Sequence, residues 1–277
     1  MAVFGRIPTE RRGRPRLSDS FNNNDVICIF SYAWASTPER LALAGAVTVC
    51  FALLAWAVRG VSRSGAVAGG LACFALFAGA GPGAFATLAA LFAATWMSTR
   101  LGYRRKQELG LAERREGRNA GQVLANLAVA AGGALAFGAS GKTAWLVAVV
   151  AALGEAATDT VASEVGQSEV GQSRRGGARL ITTGERVPAG VDGGVTIAGT
   201  LAGLAAGVVI AAVGVAGGMV ALGATWIPVV AGFVGMLADS VMGATVQRRG
   251  WISNQGVNFV ATVIAAGMGY GMVMMMK

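Results

Sequence analysis

Residues 143–162 read TAWLVAVVAALGEAATDTVA, a run in which only Glu155 and Asp159 carry charge. A helix needs about 20 predominantly apolar residues to cross a bilayer, so this stretch predicts a transmembrane helix. A carboxylate in or beside such a helix is costly in free energy and asks for a functional explanation. Asp239 lies in a similar place, near the end of the apolar run 219–241. These acids are the first candidates for a functional site.

The composition extends this prediction to most of the chain. Of its 277 residues, 54% are hydrophobic and 13% are charged, and the mean hydropathy is +0.58. Soluble domains usually carry about 25% charged residues. The 42 glycines, with abundant alanine, suit close helix packing in lipid. A membrane barrel would need segments of roughly 10 residues with alternating polarity, and none appears. The predicted fold class is all-α, a polytopic integral membrane helical bundle.

The apolar runs divide the chain into a tail and one membrane domain. Residues 1–40 are polar and basic, with one apolar stretch too short to span, and indicate a disordered or interfacial tail. Residues 41–277 are expected to form a single domain of about eight transmembrane helices (seven to nine). The expected spans are 41–58, 65–80, 84–100, 120–138, 143–162, 194–214, 219–241 and 256–276.

Lysine and arginine are unevenly distributed between the two sides of this domain. One side holds the arginine-containing loops 101–119, 163–193 and 248–255, whereas the other has only Lys142 and Lys277 after the first span. Because positively charged loops are retained in the cytoplasm, the basic side is expected to face the cytoplasm of a bacterial inner membrane. The polar residues of the spans fall near the same side, which predicts a cytoplasm-facing site.

Three predicted helices carry polar residues at four-residue spacing, which places them on one helix face. The sets are Arg118, Gln122 and Asn126 on the fourth span, Glu155, Asp159 and Ser163 on the fifth, and Asn254 and Asn258 on the eighth. Together the three stripes are expected to line one cavity. The alternative is interhelical hydrogen bonding alone, which is common between packed membrane helices.

The residue types favour phosphate chemistry. The chain has no histidine, which excludes a His-based metal site, a His general base and a Ser-His-Asp triad. Mg²⁺ is held by carboxylates, waters and substrate phosphates, and arginines bind the remaining phosphate oxygens. The segment VPAGVDGGVTIAGT (187–200) is a second candidate for phosphate binding, because glycine lets backbone N–H groups approach an anion. The alternative is an ordinary helix entry. The glycines from 199 onward are expected to serve packing, and those from 190 to 194 are the candidates for phosphate binding.

Two short repeats involve the acids. Residues 164–173 read EVGQSEVGQS, so that Glu164 and Glu169 compete for one role. Separately, DTVASEVGQ (159–167) weakly echoes DSVMGATVQ (239–247). The echo suggests two half-sites related by an internal repeat.

Several separated blocks resemble the domain of unknown function 92 family, whose eukaryotic members include transmembrane protein 19 and a plant phytyl-phosphate kinase. The blocks are GRNAGQVLAN (117–126), DTVASEVG (159–166), RLITTGERVPAGVDGGVTIAGTLAG (179–203), ADSVMGATVQ (238–247) and NQGVNF (254–259). The resemblance covers roughly residues 41–276. It implies transfer of the γ-phosphate of CTP to a prenyl monophosphate. The acidic helix end followed by a glycine loop is also similar to membrane cytidylyltransferases that make CDP-lipids, and it points to CTP and Mg²⁺ as well.

On this basis Asp159, Glu164 and Asp239 are the expected catalytic residues and Mg²⁺ ligands. Glu164 is preferred over Glu169 because it keeps the ASE context. Arg118 is expected to neutralise charge on the transferred group. The other expected substrate- and nucleotide-binding residues are Gln122, Asn126, Thr160, Ser163, Pro188, Gly190, Asp192, Gly193, Gly194, Ser240, Gln247, Asn254 and Asn258.

The function expected is that of a membrane prenyl (phytyl-like) monophosphate kinase, Mg²⁺-dependent and supplied by CTP. A CTP-dependent prenyl-alcohol kinase or a CDP-lipid cytidylyltransferase could use the same site. The alternative from another class is an ion-coupled transporter of lipids or small molecules, whose site should lie nearer the bilayer midplane. The partners expected are the lipid bilayer, a prenyl phosphate lipid and a nucleoside triphosphate, with no nucleic acid. The sequence does not decide whether the protein forms a homo-oligomer.

Overall fold

The computed structural model of the protein describes residues 38–169 and 177–276, so the tail predicted at 1–40 lies almost wholly outside the described residues. These residues form a helical bundle with one small sheet. The helices are α1 (Pro38–Ala57), α2 (Arg63–Arg100), α3 (Tyr103–Glu108), α4 (Ala120–Ser140), α5 (Ala144–Glu169), α6 (Ile197–Ala216), α7 (Trp226–Met242) and α8 (Asn254–Met275).

The predicted membrane bundle is confirmed. Six of the described helices are long and apolar enough to cross a membrane, and α1 adds a shorter apolar helix over Leu41–Ala57. A 3-10 turn at Leu222–Ala224 precedes α7, and a π-helical segment at Gly243–Gln247 continues it. Short α3 lies inside the connection expected to be a loop at 101–119.

Helix α2 contains a chain reversal. Gly81, which precedes Pro82, has φ 82° and ψ −169°, outside the helical region. A straight helix of 38 residues would be about 57 Å long. Arg100 is the last residue of α2, and Val58 lies five residues before the first one. Nevertheless, Nη2 of Arg100 donates to the carbonyl of Val58 at 2.8 Å. The two halves of α2 therefore fold back on each other, matching the two separate spans predicted there.

Helix α5 is the central helix of the bundle. It packs against α2, α4, α6, α7 and α8, and most of its side chains are buried. Small residues allow this crowding: a Cβ added to Gly203 of α6 would lie 2.4 Å from the carbonyl oxygen of Thr158. The glycines from 199 onward thus serve packing, as predicted. The stretch that carries Glu155 and Asp159 forms the core of the fold.

The connection from α5 to α6 differs from the loop expected at 163–193. Helix α5 continues to Glu169 instead of ending near residue 162, because polar EVGQSE extends the helix beyond its apolar part. An antiparallel sheet in the order β2-β1-β3 follows, and hydropathy did not predict it. Its strands are β1 (Ala178–Leu180), β2 (Arg186–Val187) and β3 (Gly194–Val195).

The polar connections gather on one side of the bundle. A parallel bridge joins Val61, between α1 and α2, to Arg118, just before α4. The α5–α6 connection packs against the end of α7, since a Cβ added to Gly243 would lie 2.9 Å from the backbone nitrogen of Gly193. We call this the basic side. It carries the arginine-rich connections and positions the site described next.

Candidate functional site

A cavity of about 290 Å³ lies on the basic side, between α4, α5, α7, α8 and the α5–α6 connection. We call it the polar cavity. All the predicted site residues except Pro188, which is exposed, line it. They are Arg118, Gln122, Asn126, Asp159, Thr160, Ser163, Glu164, Gly190, Asp192, Gly193, Gly194, Asp239, Ser240, Gln247, Asn254 and Asn258.

Two carboxyl groups meet in this cavity from different helices. Asp159 of α5 and Asp239 of α7 lie within electrostatic range of each other. Glu155, one helical turn deeper and 1% exposed, lies within range of both. Oδ2 of Asp239 and both carboxyl oxygens of Glu155 are buried and have no hydrogen-bond partner among the described residues. Such buried oxygens are rare in folded proteins and are available to a ligand.

Arg118 brings a positive charge to the same place. Its guanidinium lies 3.4 and 3.5 Å from Oγ1 of Thr160 and within electrostatic range of Asp159. Its backbone is held on both sides, since Arg118 N donates to the carbonyl of Gly60 at 3.2 Å and the carbonyl of Arg118 accepts from Ser62 N at 3.0 Å. The cavity therefore combines acids with a fixed arginine, the groups that bind a metal ion and phosphate oxygens respectively.

Some predicted ligands already bond to protein groups. Gln122 and Asn119 form a capping box at the start of α4, and Nε2 of Gln122 donates to Glu113 at 3.1 Å. Asn258 of α8 donates to Oδ1 of Asn126 at 3.3 Å. The interhelical hydrogen bonding considered as an alternative thus exists at this amide pair, although both residues also line the cavity.

The glycine loop at 190–194 has a packing explanation of its own. Gly193 has φ +75°, and an added Cβ would lie 2.4 Å from the Cβ of Ala244 in the π-helical segment. Gly194 N donates to the carbonyl of Val191 at 2.9 Å, so that amide is used within the loop. Burial raises the pKa of nearby Asp192, whereas a hydrogen bond with the Gln247 side chain and the positive charge of Arg248 act in the opposite direction. The phosphate-binding role of the loop stays a prediction.

Gly193→Ala is expected to lower the free energy of unfolding by about 2–4 kcal/mol, because it combines left-handed backbone with a steric clash. Gly184→Ala is the matched control. Gly184 has φ +72° in the same connection, but no atom of the described residues lies within 4 Å of its Cβ position, so about 1 kcal/mol is expected. Unfolding of the detergent-purified variants measures both. Equal losses would contradict close packing of the loop on α7.

The internal echo converges on the polar cavity. Asp159 and Gln167, the first and last residues of DTVASEVGQ, both line it. Asp239 and Gln247, the corresponding residues of DSVMGATVQ, line it too. Helix α5 and α7 with its π-helical continuation therefore each contribute an acid and an amide, and the two half-sites stay a prediction.

A family model described as an integral membrane protein, DUF92, matches residues 46–266. This chain belongs to the DUF92 family. An uncharacterized membrane protein of Synechocystis sp. is 33% identical over 178 residues, covering 62% of this chain and 67% of its relative. An uncharacterized membrane protein of Methanocaldococcus jannaschii is 32% identical over 122 residues, covering 43% of this chain and 48% of its relative. No solved structure matches the chain.

Glu164 has a different environment in this DUF92 protein from the one expected for a metal ligand. One carboxyl oxygen pairs with Nζ of Lys106, and the other accepts from Oγ1 of Thr99 at 3.0 Å. Lys106 is fully buried and also donates to the carbonyls of Ser98 and Thr99. Glu164 therefore fastens α3 and the end of α2 to α5. It lines the polar cavity and Glu169 does not.

The carboxylates of Asp159 and Asp239 fit Mg²⁺ only if the phosphates of a bound substrate supply further metal ligands. Within the described segments, no group of three or more Asp, Glu, Cys or His residues could hold a metal ion. The expected three-carboxylate site of Asp159, Glu164 and Asp239 is therefore not assembled, because Glu164 faces Lys106. Mg²⁺ commonly uses one or two carboxylates plus substrate phosphates, and the unpartnered oxygen of Asp239 suits that arrangement. Asp159 and Asp239 remain the candidate ligands.

Sequence reasoning missed Lys106, Thr99 and Glu113. Lys106 belongs to a run of basic residues in which nothing distinguishes it from Arg104 and Arg105. Glu113 lines the polar cavity and orients Gln122, but it lies in a connection without periodicity. Only the three-dimensional contacts of this DUF92 protein identify these residues.

Proposed function

We propose that this protein is a membrane phosphotransferase that moves the γ-phosphate of CTP to a prenyl monophosphate and releases CDP. One observation carries the proposal: Asp159, Asp239 and Arg118 converge from three separate segments in one polar cavity on the basic side. The family resemblance supplies the nucleotide and the acceptor class. The basic side would face the cytoplasm of a bacterial inner membrane.

The transfer can be written with few protein groups. An oxygen of the prenyl phosphate forms a bond to the γ-phosphorus of CTP. The bond from that phosphorus to the oxygen bridging it to the β-phosphate breaks, and CDP leaves with the electron pair. No general base is required, because a phosphate monoester is already anionic at neutral pH.

The residues of the cavity would position the reactants and balance their charge. Bound Mg²⁺ would supply neutralisation of the nucleotide phosphates, and Asp159 and Asp239 would hold it there. Arg118 would contact the transferred phosphoryl group, on which negative charge is spread in the transition state. The hydrogen-bonded pair of Asn126 and Asn258 would form the floor beneath the phosphates.

An ion-coupled transporter is the second candidate. Glu155 is the observation in its favour, because its buried carboxyl has no hydrogen-bond partner in the described part of the chain, and such acids inside a bundle are typical of ion pathways. The remaining polar residues lie at one edge of the bundle and not across it, which favours the transferase. Glu155→Gln separates the two, since it should abolish coupled transport and leave phosphate transfer largely intact.

The proposal is tested with purified protein in detergent, Mg²⁺, CTP or another nucleoside triphosphate, and a panel of prenyl alcohols and monophosphates. Formation of a prenyl diphosphate from CTP and a prenyl monophosphate is the expected result. A CDP-lipid product would favour the cytidylyltransferase, and phosphorylation of alcohols alone would favour the alcohol kinase. No turnover of any lipid with any nucleotide, in protein shown to be folded, would reject the proposal.

A further inference from the structure

A second, larger cavity lies beside the polar one. It has a volume of about 530 Å³ and is lined mainly by residues of α1, both halves of α2, and α4. We call it the apolar cavity, because hydrophobic side chains form most of its inner wall. They include Phe51, Leu88, Leu91, Phe92 and Leu127. Sites for a single small organic ligand commonly measure about 300–1,000 Å³, so this space suits one chain-like molecule.

Positive charge is concentrated at the basic-side end of the apolar cavity. Arg59, Arg114, Arg115 and Arg118 line that end. Across residues 38–169 and 177–276, the sole ion pair within 4 Å is that of Lys106 with Glu164, so none of these arginines is neutralised by a direct carboxylate contact. An apolar wall with several guanidinium groups at one end complements an anionic headgroup on a hydrocarbon chain.

The apolar and polar cavities meet at three residues. Glu113, Arg118 and Asn126 line both. Arg118 therefore stands between the apolar wall and the acid pair. A phosphate bound to it from the apolar side would lie next to Asp159, and its hydrocarbon chain would run toward Phe92.

We propose that the apolar cavity binds the single hydrocarbon chain of a phosphorylated lipid and places its phosphate at Arg118. The identity of that lipid as a prenyl monophosphate rests on the proposed function, whereas the cavity and its arginines do not. The acceptor chain would thus be held inside the protein, between α1, α2 and α4, and not in the surrounding bilayer. The acceptor and the nucleotide would approach each other from two separate cavities.

Gly69→Leu tests this site. Gly69 lines the apolar cavity, and its Cβ position lies 3.6 Å from Cγ1 of Val123, an ordinary contact, so the remaining leucine atoms would occupy the chain site. Gly132→Leu on α4 is the matched control, because within residues 38–169 and 177–276 nothing lies within 4 Å of its Cβ position and it lies outside both cavities. If Gly69→Leu does not fold, Ala66→Leu, also in the wall, replaces it.

The measurement is binding of a fluorescent prenyl monophosphate in detergent without nucleotide. Gly69→Leu is expected to raise its Kd at least about tenfold, and Gly132→Leu is expected to leave it unchanged. The matching prenyl alcohol and inorganic phosphate should each bind the native protein more weakly than the prenyl monophosphate. Unchanged binding by both wall variants, or equal binding of alcohol and monophosphate, would overturn the proposal. Chain binding without transfer from CTP would reject the kinase and leave the chain site standing.

Discussion

Asp159→Asn and Asp239→Asn are each expected to lower the rate of phosphate transfer at least about 100-fold. Each change removes one of the two carboxylates that would hold Mg²⁺ on the nucleotide, and loss of a single charge-stabilising group commonly costs about 10²–10³ in rate. Initial rates with saturating CTP and prenyl monophosphate measure the effect. Glu169→Gln is the control, because Glu169 ends the same helix outside the polar cavity and should keep the native rate.

The same Asp239 variant separates a functional acid from a structural one. Oδ2 of Asp239 is buried without a hydrogen-bond partner in the described residues, so the carboxylate contributes little to folding and opposes Asp159. The Asp239→Asn protein is therefore expected to have a melting temperature equal to or higher than that of the native protein. A variant that loses activity because it unfolds early, or one that keeps the native rate, would contradict the assignment.

Glu164→Gln is expected to lower the free energy of unfolding by about 3 kcal/mol. Its effect comes from Lys106, which is fully buried and would exchange its carboxylate partner for neutral oxygen acceptors, the carbonyls of Ser98 and Thr99 and the amide oxygen of the introduced glutamine. Breaking a buried ion pair by removing one partner typically costs about 3–5 kcal/mol. The low end applies here because Glu164 is 13% exposed. Denaturant or thermal unfolding in detergent measures the loss.

A double variant helps to decide whether Glu164 has a structural or a metal-binding role. The double change Lys106→Met with Glu164→Leu is expected to recover much of the lost stability, since a buried ion pair can often be replaced by apolar residues. Glu169→Gln, in the duplicated EVGQS unit, should be neutral. A Glu164→Gln protein with native stability but a changed Mg²⁺ dependence would restore the original assignment of Glu164 as a metal ligand.

The helices that cross the membrane were predictable because their signal is local. The run 143–162 contains enough apolar residues to form a span, and it became the central helix α5. The reversal at Gly81 agrees with the boundary predicted between the spans 65–80 and 84–100. By contrast, the sheet around β1 depends on pairing between segments that are separately too short to recognise, so hydropathy could not reveal it.

The order of the spans predicts that the site residues meet on one side of the bundle. It does not predict which side chains contact one another there. Asp159 lies at the end of the apolar part of α5 and Asp239 near the end of α7. Both helices run toward the basic side, so alternating spans place the two acids at one level of the bundle. The partner of Glu164 could not be deduced, because Lys106 becomes buried only when α3 folds against the ends of α2 and α5. The apolar cavity was equally hidden, since its wall residues resemble any other apolar residues of a membrane helix.

The most direct measurement follows two labels of CTP during a single turnover with prenyl monophosphate and Mg²⁺. Label in the γ-phosphate is expected in the lipid product of the native protein, and label in the α-phosphate is expected to stay with CDP. Neither label should reach the lipid with Asp239→Asn. Transfer of the α-label to the lipid, or an unlabelled lipid in both experiments with folded native protein, would contradict phosphate transfer at the acid pair of Asp159 and Asp239.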